Sequence, residues 1–244
     1  MSIHIDENIL KYFKEEINSL KLKYKWKIPI VEGFNESDNS SYDSNVKFKI
    51  FLNNKFFEKN DIEHQIKVAD IVIKKWGGIK SIHKKTIKKF IVNYYSEKSL
   101  LIKDKTLPHQ CVSSYSKLYS ILSPKDYAIY DSRVAACLNA LQLNLRVSNG
   151  YVFNYVNGRN NIIGNSQKKI GFTQNIKFKE RTIKSEFGWE RKKLKDNYKF
   201  YLDYLKTIQK RLKLSDLYDL EMILFSDAEN QCKKLLKYNI TLRK

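Results

Sequence analysis

The chain has 244 residues, 42% of them hydrophobic and 13% aromatic, enough for a sizeable core and too apolar for global disorder. Its formal net charge is +20, from 46 basic and 26 acidic residues, which points to a polyanionic partner, nucleic acid above all. No run of about 18 apolar residues exists, which excludes a transmembrane helix, and three widely spaced cysteines without CxxC spacing suggest neither a disulfide framework nor a zinc or iron–sulfur site.

Lysines outnumber arginines 39 to 7. Codon bias can choose Lys over Arg, but it does not create an excess of bases over acids. The opening "MSIHIDENILKYFKEE" carries acids and lacks a basic region followed by an apolar block, which predicts no signal peptide and a cytosolic protein. The length favours one large domain or two packed lobes.

Residues 7–27 are amphipathic, with Leu10, Phe13, Ile17 and Leu20 at helical spacing. The polar stretch "EGFNESDNSSYDS", 32–44, reads as a loop, and residues 1–60 read as a helical and irregular segment ahead of a domain spanning 61–244. Ile62, Ile66, Ala69 and Ile73 line a helix that stops at Trp76-Gly77-Gly78. A second helix, "SIHKKTIKKFIVNYY", has Ser81 as its expected cap. Its Lys84, Lys85, Lys88 and Lys89 side is either a solvated face or a row of phosphate contacts, of which Lys84 and Lys88 are DNA-binding candidates.

"LPHQCVSSYSKLYSIL" predicts a turn and a short helix with Tyr115, Leu118, Tyr119 and Leu122 on one stripe and Lys117 off it. After Ser123-Pro124 another helix begins near Asp131. Residues 148–190 are Asn/Gly-rich and loop-like, suited to reaching around a ligand. Two long helices close the chain, the last capped by Ser215. Strand patterns are few, so the expected fold is mainly α. The histidines (His4, His64, His83, His109) show no ligand spacing, and no metal or cofactor is expected.

Asp131 is open to two readings. Asp is a favoured helix N-cap, because its oxygens accept the orphan amides of the first turn. The same position fixes a carboxylate on a rigid element, held ionised by the helix dipole. A fixed anion of this kind suits cleavage of a C–N glycosidic bond, where positive charge builds on the sugar as the base departs.

"YAIYDSRVAACLNAL" resembles the catalytic-Asp segment of the helix-hairpin-helix DNA glycosylase superfamily. The longer "SSYSKLYSILSPKDYAIYDSRVAACL", 113–138, is similar to the bacterial 8-oxoguanine DNA glycosylase-like family, as are "NGRNNI" at 157–162 and "YDLEMILFSDA" at 218–228. The resemblance spans roughly residues 60–235. It implies two helical lobes flanking a DNA- and base-binding cleft, Asp131 as the catalytic carboxylate, and Lys117 as the lysine of bifunctional members, which attacks C1′ as an amine. The chain departs from the family at the hairpin, where Ser113, Ser114 and Ser116 stand in place of a phosphate-holding Gly-x-Gly turn.

Arg133 is expected to contact phosphate or to buttress Asp131, and Arg159 to reach DNA or the extruded base. Trp76, Tyr127 and Tyr130 flank turns near the motif and are candidate pocket walls. The expected activity is thus excision of a modified base from double-stranded DNA by a monomer, nucleoid-associated when bound. Oxidised guanine is the implied substrate, with a hypermodified pyrimidine of phage DNA, and an antiviral role, as the second. The rival is a non-catalytic basic DNA-binding protein that keeps such a fold for its charge.

Overall fold

The computed structural model describes residues 3–98 and 109–237, and they are mainly helical. Helix α1 spans Glu7–Lys23 and starts where Asp6 accepts from the Asn8 amide; Leu10, Phe13 and Leu20 are buried as their spacing requires. It ends before 27 because Tyr24 turns extended, carrying a buried tyrosine and then Trp26 to a different part of the molecule. Residues 45–57, unassigned by pattern, form most of α2, Tyr42–Phe57.

Helix α3, Ile62–Asp70, runs on through a π-helical turn, Ile71–Trp76, and stops at Gly77 and Gly78, the latter at φ +70°. Helix α4, Lys84–Lys98, begins three residues beyond Ser81, so that serine is not its cap. A 3₁₀ turn at His109–Cys111 leads into α5, Val112–Leu122; the turn expected at Leu107-Pro108 lies outside the described residues. Helix α6 follows at Ser132–Asn144.

The stretch expected to be loop-like holds two short strand pairs. Strand β1, Tyr151–Val152, runs parallel to β4, Glu190–Arg191, while β2, Arg159–Asn160, and β3, Gly164–Asn165, make a tight antiparallel hairpin. Helix α7 is Glu180–Phe187, α8 is Asn197–Leu212, and α9 is Leu217–Lys237. Asp216, not Ser215, directly precedes α9, and the Ser215 hydroxyl donates to its carboxylate.

Every residue of α6 from Val134 to Leu143 is buried, the mark of a central helix rather than a surface one. It packs most extensively on α9. Two polar residues inside it are satisfied by backbone: Asn139 exchanges hydrogen bonds with Phe153 and Gln142 with Tyr151, so the 151–153 segment lies on α6 as if paired to a strand. Helix α1 packs on α9, α8 and α2. Phe13, Phe48, Leu52 and Phe56 of the first 60 residues are fully buried in the same apolar core as the rest, each contributing about 1.5–3 kcal/mol of burial. Among the described residues no helix is long and apolar enough to cross a membrane.

Candidate functional site

Asp131 is the N-cap of α6, and its Oδ1 accepts from the Arg133 and Val134 amides at 3.0 and 3.2 Å. The other oxygen, Oδ2, accepts from the Lys117 ammonium at 3.1 Å. The carboxylate therefore both caps and carries an ion pair. Burial works to raise its pKa, but the charge of Lys117 and the hydrogen bonds from Val134, Lys117 and Arg133 outweigh burial, holding the group below its usual range. It is ionised at neutral pH.

The chain leading into Asp131 is extended and buried, and side chains replace the strand partner it lacks. Tyr198 donates to the Ala128 carbonyl and Tyr201 to that of Ile129; Glu221 accepts from the Ile129 amide; Ser116 accepts from the Tyr130 amide and donates to its carbonyl. Three helices, α5, α8 and α9, thus fix three consecutive residues, and Asp131 inherits their position.

Lys117 reaches the carboxylate from the middle of α5, its side chain only 8% exposed. Gly77 makes the room. A Cβ there would lie 2.6 Å from Lys117 Cδ and 2.8 Å from the Ile73 carbonyl. Gly158 does the same on the far side, where a Cβ would fall 2.8 Å from the Ser132 hydroxyl and push the β2–β3 hairpin off the start of α6.

The pair faces a cleft of about 550 Å³. One wall is aromatic: Phe225 meets Trp26 edge-on at 5.0 Å and Tyr24 at 5.9 Å, and Trp76 lines the same space. Asn45 organises that wall, donating to the Trp26 carbonyl and accepting from the Trp76 indole at 3.1 Å, while the Trp26 indole donates to the Trp76 carbonyl. Both indoles are thereby fixed, with their polar edges satisfied. Glu221, 2% exposed, closes the floor. Burial pushes its carboxyl above the usual range, against the pull of Lys49 at 3.6 Å.

Of the residues singled out in the sequence, Asp131, Lys117, Ser113, Ser114, Arg133, Arg159 and Trp76 all line this cleft. Arg159 is exposed. Arg133 is committed elsewhere: it bonds Glu229 at 3.2 Å and lies over the Phe225 ring at 4.9 Å, so it buttresses the wall and is not a free phosphate contact. Tyr130 corrects the expectation of a pocket wall. It is fully buried behind Asp131, its hydroxyl donating to the Asn154 carbonyl. Ser116 is also fully buried and serves the Tyr130 backbone. Tyr127 packs edge-on against Tyr119, outside the cleft lining. Lys84 and Lys88 are exposed on α4 away from that lining, and Lys84 is paired with Glu63.

Tyr24, Trp26, Gly77, Glu221 and Phe225 were not singled out. Glu221 and Phe225 left a signal, both inside the family-like segment "YDLEMILFSDA" and Glu221 also as an acid in its apolar run "LEMILF". Among the described residues no group of three or more His, Cys, Asp or Glu side chains is placed to hold a metal ion, and Cys111 is half-buried whereas Cys137 and Cys232 are buried. Comparison with protein-family models, curated proteins and solved structures returns no match to this chain.

Proposed function

We propose that this chain is a DNA glycosylase of the helix-hairpin-helix type, with Asp131 and Lys117 as its catalytic pair. The observation that carries the reading is the 3.1 Å contact of Lys117 with an ionised, doubly capped Asp131 at the wall of an aromatic-lined cleft. Its volume, about 550 Å³, falls within the roughly 300–1,000 Å³ typical of small-molecule sites. A nucleobase flipped out of the stack meets a wall lined by Trp26, Trp76 and Phe225.

In this reading the Asp131 anion stabilises the cationic sugar as the C1′–N bond breaks and the base leaves with the electron pair. The Lys117 ammonium gives its proton to the departing base, and the freed amine attacks C1′; opening of the C1′–O4′ bond then gives the imine, from which the 3′ phosphate is eliminated and the strand is cut. Backbone contacts come from Arg159, from Lys168 and Lys169 in the turn closed by the Asn165–Ile170 bridge, and from the start of α5, whose first-turn amides have no side-chain cap. The substrate is oxidised guanine or a hypermodified pyrimidine; the second would make the protein antiviral. A non-catalytic DNA-binding protein needs neither the buried pair nor the cleft.

The test offers the purified chain duplexes carrying single modified bases, followed by alkali to break abasic sites. Cleavage at one such base, with a borohydride-trapped adduct that disappears in Lys117→Ala, supports the reading. Intact strands across oxidised purines and hypermodified pyrimidines overturn it.

A further inference from the structure

Behind the cleft lies a second cavity of about 360 Å³. Val46, Ile50, Ile121, Pro124 and Tyr218 give it a mostly apolar lining, and of its three charged residues, Lys49, Lys125 and Asp126, only Lys49 is buried. Lys49 is 5% exposed, yet its ammonium makes no hydrogen bond. Its counter-ion does not supply one: Glu221 Oε2 stands 3.6 Å away and already accepts from the Ile129 amide at 2.9 Å. What surrounds the cation is ring faces, Tyr218 at 5.3 Å and Trp76 at 5.8 Å.

Three donors therefore stand idle in a buried place where polar groups are normally satisfied. The pair is also a partition. Lys49 and Tyr218 line the second cavity, while Glu221 and Trp76 line the cleft. At the mouth, Lys125 is exposed and adds positive charge, whereas Asp126 is paired with Lys206 at 3.7 Å.

We propose that this cavity is a second ligand site, for a small molecule that carries an anionic head, carboxylate or phosphate, on an apolar body. The head bonds Lys49, and the body lies against Val46, Ile50, Ile121 and Pro124. The match is chemical: an acceptor-rich head for the unused donors and an apolar body for the walls. Binding draws the ammonium away from the Trp76 ring, so occupancy is visible in tryptophan fluorescence as well as in heat.

The test titrates the full chain with benzoate and with phenyl phosphate, by calorimetry and by fluorescence, and the two probes separate the carboxylate source from the phosphate one. Ile50 is 56% exposed, so Ile50→Trp fills the cavity mouth without disturbing the core. The expected result is saturable one-to-one binding of at least one probe, weakened about 10-fold or more in Ile50→Trp and in Lys49→Met, and unchanged in Asp131→Asn. Absence of saturable binding, or equal affinity in Ile50→Trp or in Lys49→Met, overturns the proposal. A chain that binds a probe in this way but leaves every modified duplex intact keeps this site and loses the glycosylase reading.

Discussion

Lys117–Asp131 and Lys49–Glu221 are both buried lysine–carboxylate pairs, and they are built differently. In the first, the side chains are 8% and 14% exposed, the contact is a hydrogen bond of 3.1 Å, and both carboxylate oxygens are satisfied. In the second, the side chains are 6% and 3% exposed, the separation is 3.6 Å, and the lysine bonds nothing. One pair holds its acid ionised and turned to a cleft; the other sits behind it, its acid driven toward the protonated form. The same two residue types thus give a pair that fixes a carboxylate at the cleft and a pair whose acid holds the backbone at Ile129. The difference lies in how many hydrogen bonds each carboxylate receives, since desolvation opposes both.

The largest effect should come from breaking the second pair. Glu221→Ala removes both the acceptor for the Ile129 amide and the counter-charge of Lys49, at a cost of about 3–5 kcal/mol in chemical denaturation. Glu221→Gln keeps the acceptor and mimics the neutral form that burial favours, so it should retain most of that stability; a Gln variant no more stable than the Ala one would show that the hydrogen bond to Ile129 is not what matters. Gly77→Ala should come next. The added methyl strikes Lys117 and the Ile73 carbonyl, so stability should fall by about 1–3 kcal/mol and borohydride trapping should fall further than DNA affinity. Equal losses in both would mean that the glycine does not position the lysine.

Acid titration should separate the pairs by sign. The folded Glu221 has a raised pKa, so its protonation favours the native state. That contribution grows as pH falls from neutral through the raised value and is complete below the ordinary carboxylate range. The folded Asp131 has a lowered pKa, so its contribution is present above its unfolded value and is lost as pH falls through the folded one. Melting temperature against pH should therefore lose its rise in Glu221→Gln and part of its acid drop in Asp131→Asn. Least of all, Arg159→Gln should lower the slope of log affinity against log salt by about 1 with little change in stability.

What could be read in the sequence follows the range of the interactions. Asp131 and Lys117 sit on short periodic helices, and local pattern plus a family-like segment was enough to single them out. The residues that shape the cleft were hidden because their partners are far along the chain: Asn45 reaches Trp76, Trp26 meets Phe225, and Gly77 faces Lys117. No pattern in residues 24–45 announces that they wall a site built mainly from residues beyond 76. Tyr130 misled for the opposite reason, since in an extended segment neighbouring side chains point to opposite sides, and Asp131 takes the cleft.

The central claim is that the Asp131 anion drives departure of the base. Its most direct measurement is the single-turnover rate of base release by Asp131→Asn against wild type on an active duplex, with folding verified, since asparagine also caps helices well. A fall of about 10²–10³-fold or more, with DNA affinity retained, is the predicted result. A variant as fast as wild type would contradict it and leave Asp131 as a helix cap.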